Sequence, residues 1–219
     1  MDKVLQSLPF MLEASVVTVE IFILTIVLSL PLGLPITLGM NSKFKPLSWI
    51  CKVYVWIFRG TPLLLQLFFF YFFFPIYLGI KMNAFFTVIL TFVLNYAAYF
   101  AEIYRGGING IDRGQYEAAK ALGLSKKQTM MDIIFPQTMK SILPPVVNEA
   151  ITLVKDTALA STLPVIELMK ATNSTANRLT AMMPFIFAAV IYLIMTAVLT
   201  IIAGKLEKYF KRYDAKEEY

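Results

Sequence analysis

Apolar runs long enough to cross a bilayer alternate along this chain with short polar stretches. A spanning helix needs roughly 20 predominantly apolar residues. Five runs fit that requirement, over about 10–40, 53–80, 84–104, 142–165 and 183–204. The pattern predicts an all-α membrane protein with five transmembrane helices, forming a single transmembrane domain over residues 1–219. Pro31, Gly33 and Pro35 predict a kink in the second half of the first span, because each proline removes a backbone donor and crowds the preceding turn. In the second span, Arg59-Gly60-Thr61-Pro62 predicts a local break near Thr61, where neighbouring polar groups must satisfy the carbonyl that Pro62 frees. Direct contact of this segment with a bound solute is the other role open to it.

The longest polar interval, 105–141, carries its own helix signals. Asp112 followed by Gln115 reads as a helix start, in which the carboxylate accepts from first-turn amides and Gln115 reaches back. Ala118, Ala119, Lys120, Ala121 and Leu122 favour helix, and Gly123 stands where a left-handed residue closes it. Ser125 with Gln128 is a capping box for a second helix running towards Pro136. The small side chains of Ala118 and Ala119 suit a helix that lies in a groove on another protein.

Polar residues inside the spans are expensive in lipid and should face protein or water. Asn95, Tyr99 and Glu102 recur at three- and four-residue spacing, so they share one face of the third span. Helix-to-helix hydrogen bonding and a place on a substrate path both fit this stripe. The fourth span carries Asn148, Glu149, Thr152, Lys155 and Asp156. Glu149, Thr152 and Asp156 share a face, while Lys155 either points elsewhere or pairs with an acid. Residues 166–182 are polar and are expected outside the membrane.

Composition narrows the function. Hydrophobic residues make up 58% of the chain and charged residues 16%, too apolar for a soluble domain of this length. The single Cys51 and the absence of His exclude disulfides, histidine bases and the usual zinc sites. The net charge of +6 does not point to nucleic acid, because the basic residues cluster beside the spans. Lys43, Lys45, Lys52 and Arg59 follow the first span. Arg105, Arg113, Lys120, Lys126, Lys127 and Lys140 lie in the polar interval, and Lys205, Lys208, Lys211, Arg212 and Lys216 lie in an amphipathic tail. Only Lys3, Lys81, Lys170 and Arg178 fall on the other side. Basic loops stay cytoplasmic, so the chain is expected as a multi-pass protein of the cell (plasma) membrane, in contact with membrane lipid. The N-terminus is then outside, and the C-terminus and 105–141 are cytoplasmic.

Glu117-Ala118-Ala119, Gly123, Ile133 and Pro136 resemble the EAA loop of permease subunits of type I ATP-binding-cassette (ABC) importers. That pattern usually has Leu before the closing proline, where this chain has Phe135. The segments RGTPLLLQLFF and NEAITLVKDTALAS are similar to those of the polar amino-acid permeases within the same superfamily, and the resemblance covers nearly the full length. It implies the type I importer permease fold, with a coupling helix that docks on a cytoplasmic ABC ATPase through Tyr116, Glu117, Ala118, Ala119, Leu122 and Gly123. It also implies an extracytoplasmic binding protein that delivers an amino acid, and a fourth span that helps line the translocation cavity.

No Gly-x-x-x-x-Gly-Lys-Ser/Thr loop occurs, so the chain is expected to hold no cofactor and not to be an enzyme. ATP and Mg would be bound by the partner ATPase. Five spans enclose too little protein for a gated polar path, so a second permease copy about a two-fold axis is expected, as a homodimer or with a related subunit. The candidate substrate-binding residues are Asn95, Tyr99, Glu149, Thr152 and Asp156; the acids favour a cationic amino acid such as arginine, lysine or histidine. A nucleotide-independent secondary transporter or channel is the alternative, but no inverted repeat is evident. An intramembrane aspartyl protease is a third reading. It needs two carboxylates a few ångströms apart, and Glu149 and Asp156 are two helical turns apart.

Overall fold

A computed structural model describes residues 6–211. Lys3, Arg212 and Lys216, counted above for orientation, lie outside the described residues, as do the rest of 1–5 and of the tail from 212. Every regular element among the described residues is helical. In order these are α1 (Leu8–Met40), α2 (Lys45–Gly60), α3 (Leu63–Leu78), α4 (Ala84–Asn109), α5 (Arg113–Ala121), α6 (126–156), a 3₁₀ turn (Thr157–Thr162), α7 (Leu168–Leu179) and α8 (Met183–Lys211). By length and composition α1, α4 and α8 can each cross a membrane, and α2 with α3 can form a fourth, broken span.

The most extensive pairing lays α1 along α4. The buried stripe of α1 contains Ala14, Thr18, Thr25, Ser29, Gly33 and Thr37, while Val16, Ile23, Val27, Leu34 and Leu38 face out. In lipid there is little hydrophobic gain from helix contact, so small side chains that permit close approach define the interface. A Cβ on Gly33 would come within 3.1 Å of both Phe100 Cβ and Tyr104 Cε2. Thr37 Oγ1 donates to the Ala101 carbonyl at 2.9 Å, and Tyr104 OH donates to the Leu30 carbonyl at 3.1 Å. Pro31 and Pro35 lie within a helix that runs unbroken, so the expected kink does not interrupt it.

The expected break in the second span is present and large. α2 and α3 meet at 108°, with Thr61 and Pro62 extended between them. A helix would pair the Phe58 carbonyl with the amide of residue 62, and proline has none. Gln66 Nε2 donates to Phe58 O at 2.9 Å instead, and Asn95 Nδ2 does so at 3.0 Å. Thr61 Oγ1 likewise satisfies the Ile57 carbonyl at 2.8 Å.

Two prolines pass without a break because the backbone widens ahead of them. A π-turn over Phe69–Phe73 precedes Pro75, and another over Thr129–Ile134 precedes Pro136. A π-turn shifts the hydrogen-bond register, which accommodates a position that lacks a donor. The helix opened by the Ser125 cap therefore continues past Pro136, Pro144 and Pro145 to Asp156. The second polar-interval helix and the segment expected as the fourth span are one rod of about 45 Å. Past Asp156 the chain turns through Thr157–Thr162 and becomes extended at Leu163.

The stretch 166–182 holds an amphipathic helix, α7, where only polarity was read from sequence. Its start is fixed by Glu167, which is fully buried and accepts from the backbone amides of Met169 (2.9 Å) and Lys170 (2.6 Å). Tyr192 OH of α8 donates to the same carboxylate at 3.2 Å, joining α7 to α8.

α6 meets α4 where Gly107 lies under Ile142, and a Cβ there would overlap the Ile142 Cγ2 methyl. Gly107→Ala is expected to destabilise the protein in detergent by about 1–3 kcal/mol, the usual range for overpacking. Adding Ile142→Ala should give a loss smaller than the sum of the single losses, read by thermal unfolding; strict additivity would refute the contact.

Candidate functional site

The break at Thr61–Pro62, the middle of α4 and the end of α6 together enclose a cavity of about 370 Å³. Its lining includes Thr61, Pro62, Asn95, Tyr96, Tyr99, Glu149, Thr152 and Asp156. The volume lies within the roughly 300–1,000 Å³ typical of small-ligand sites. All five sequence-predicted substrate residues, Asn95, Tyr99, Glu149, Thr152 and Asp156, therefore come together on one wall system.

Each is placed by local geometry. Glu149, Thr152 and Asp156 fall on one face of α6 by their three- and four-residue spacing. Asp156 Oδ2 accepts from Tyr96 OH at 2.7 Å, a bond that ties the end of α6 to α4. Thr152 Oγ1 donates back to the Asn148 carbonyl at 3.0 Å. Lys155 is exposed and forms an ion pair with neither acid; Glu149 and Asp156 both line the cavity, with one Asp156 oxygen engaged by Tyr96. Asn95 is buried, and its amide donates to Gln66 Oε1 (2.9 Å) and Phe58 O. Its donors brace the break, and only its carbonyl oxygen remains to meet a ligand.

Glu102 of the predicted stripe does not line this cavity. Arg105 grips it with two hydrogen bonds, through Nε at 2.9 Å and through Nη2, and Arg59 Nη1 lies 3.7 Å away. These three residues, with Lys52, Trp56 and Asn41, line a neighbouring pocket of about 590 Å³. The Arg59 guanidinium, on the wall of this second pocket, lies 5.4 Å from the centroid of the Tyr99 ring, which lines the first.

Sequence reasoning missed Gln66, Tyr96 and Arg59. Gln66 carried a signal, as the one amide within the Leu and Phe run from 63 to 74. Arg59 stood at the head of the Arg59-Gly60-Thr61-Pro62 segment and among the loop charges without a role of its own, and the partner of Tyr96 lies 60 residues away in sequence.

The polar interval folds largely as its caps predict. Asp112 Oδ1 accepts from Gly114 N at 2.6 Å, but the Gln115 side chain does not reach back; it accepts from Gln137 on α6 at 3.1 Å. Gly123 adopts φ +73°, and its amide and that of Leu124 bond the Lys120 and Ala119 carbonyls, closing α5 with a Schellman turn. The Ser125–Gln128 capping box is complete. Glu117, Ala118, Leu122 and Gly123 are exposed and Tyr116 is half-buried. Ala119 departs from expectation: it is fully buried within the chain, so it cannot itself offer a docking face, whereas Leu122 is 77% exposed. Tyr116 also lines a largely apolar hollow of about 640 Å³ with Leu124, Lys126 and Met130.

Residues 26–212 match the family of binding-protein-dependent transport system inner membrane components. Among curated relatives, an arginine transport system permease protein of Bacillus subtilis is 38% identical, covering 94% of this chain and 95% of its own. A putative glutamine transport system permease protein of Rickettsia bellii is 37% identical, covering 91% and 92%. Among solved structures, an amino acid ABC transporter crystallised with histidines superposes with a TM-score of 0.88 at 30% identity, over 94% of this chain and 96% of that one. The MetNI methionine ABC transporter, at 17% identity and a TM-score of 0.70, shares the fold. With the match running from the middle of α1 through α8, the chain belongs to the family of binding-protein-dependent transport system inner membrane components, as an ABC-transporter permease subunit.

Proposed function

We propose that this permease carries a polar amino acid with a cationic group, such as arginine, through the cavity between α4 and α6. The observation that carries the reading is the pair of half-buried carboxylates, Glu149 and Asp156, facing a ligand-sized cavity whose lining holds no basic side chain. The acids hold the ammonium or guanidinium group, while Thr152, Tyr99 and the Asn95 carbonyl supply neutral hydrogen bonds. The arginine permease among the relatives supports the same substrate class.

Transport is driven by a separate cytoplasmic ATPase, which binds ATP and Mg, and substrate arrives on an extracytoplasmic amino-acid-binding protein. A second copy of the chain, related by a two-fold axis, completes the path. The basic loops support an outside N-terminus and a cytoplasmic C-terminus. The ATPase docks on α5 around Tyr116, Glu117, Ala118, Leu122 and Gly123, with Ala119 packing α5 from beneath. Closure of the ATPase pair moves the two α5 helices together. Because Gln115 is held by Gln137 and α6 is one continuous rod, that displacement reaches Glu149 and Asp156 without an intervening hinge. The cavity then switches the side it faces, and its affinity changes with it.

In proteoliposomes holding the permease, its ATPase and its binding protein, ATP-dependent accumulation of labelled arginine is expected. Glu149→Gln and Asp156→Asn should each weaken it about 10- to 100-fold, the equivalent of a charged hydrogen bond. Accumulation of neutral amino acids alone would sink the cationic assignment, and flux without nucleotide would sink ATP-driven import. Leu122→Asp places a charge in the docking contact and should reduce ATPase co-purification at least 10-fold while the permease still inserts; an unchanged pull-down would remove Leu122 from the interface.

A further inference from the structure

The Arg59 guanidinium is under-used by its own chain. A guanidinium offers five N–H donors, yet among the described residues this one makes no hydrogen bond. Its ion pair with Glu102, at 3.7 Å, is too long to be one. Glu102 is already held by two hydrogen bonds from Arg105, so it tethers Arg59 electrostatically without saturating it. The Arg59 side chain is 41% exposed and lies over the ring of Tyr99, which lines the acid cavity. On its other side Arg59 lines the basic pocket with Lys52 and Arg105. It therefore stands on the wall of the space of positive charge and reaches the space of negative charge across the Tyr99 ring.

Every amino acid carries a carboxylate as well as an ammonium group. The acid cavity offers the cationic end two partners and the carboxylate no charged one. We propose that Arg59 receives the α-carboxylate of the amino acid, binding it through the planar fork while Glu149 and Asp156 hold the positive end. This rests on the amino-acid reading above. The fork matches a carboxylate with two parallel bonds, a geometry lysine cannot reproduce. Glu102 is the anion that holds Arg59 in place when the site is empty. As the substrate moves on, its carboxylate faces Lys52 and Arg105, so the charge pattern continues from the cavity into the pocket. Arg59 is thus a specificity residue for the backbone end of the substrate, whatever its side chain.

The test is equilibrium binding of labelled L-arginine to the permease–ATPase complex in nanodiscs, without the binding protein, whose own selectivity would mask the effect. L-arginine and L-argininamide, which lacks the carboxylate, are the competitors. The wild-type complex should prefer arginine by about 10- to 100-fold. Arg59→Gln should weaken arginine by that factor and leave argininamide nearly unchanged, collapsing the ratio towards one. A merely structural role would weaken both ligands together, and that result, or an unchanged ratio, overturns the proposal. Equal binding of the two ligands by the wild type overturns it as well. If Arg59→Gln fails to assemble with the ATPase, Arg59→Lys decides: a reduced ratio supports the proposal and a wild-type ratio refutes it. Absence of binding of any amino acid to the wild-type complex would instead refute the functional reading on which this one stands.

Discussion

One orphaned carbonyl organises the middle of this protein. Pro62 cannot donate to Phe58 O, and a bare carbonyl at membrane depth costs several kcal/mol. The amides of Gln66 and Asn95 supply what proline withholds, and each is bonded to the other as well. The bend of 108° can therefore exist inside the protein, and it opens the cavity that Thr61 and Pro62 help to line. Asn95 and Gln66 hold the site by holding its backbone, and the acids on α6 face the space so made.

A second constraint is the continuity of α6. Its two outer turns serve different tasks: the Ser125 end belongs to the polar loop, and the Asp156 end belongs to the cavity. Three prolines lie between them, and a π-turn precedes the first. The helix runs past all three prolines without a break. At its far end the same helix is tied to α4 by the bond from Tyr96 to Asp156. The close approach of Gly107 to Ile142 holds the two helices in register along the way.

Charge is sorted between the two neighbouring spaces. Glu149 and Asp156 face one, while Lys52, Arg59 and Arg105 face the other, with Glu102 pinned among the cations. Like charges would repel within either group if they were packed dry. The half-exposed setting and the Glu102 clasp keep the cost of each assembly low. The two signs meet at a single aromatic ring, that of Tyr99, which lines the acid cavity and carries Arg59 over it.

The sequence by itself determined what depends on neighbours along the chain. The Schellman turn at Gly123, the Ser125–Gln128 box, the break at Thr61 and the shared face of Glu149, Thr152 and Asp156 are all matters of three or four residues, and each was legible. Apolar run length likewise announced a membrane protein, because lipid thickness acts on local composition. Tertiary structure alone decided what depends on pairs far apart. Tyr96 on Asp156, Glu102 turned away from the cavity, Ala119 buried beneath α5 and α7 anchored by Glu167 follow from packing between elements. The physical reason is that a helix face is set by periodicity, whereas its neighbour is set by where small residues such as Gly33 and Gly107 let two backbones meet.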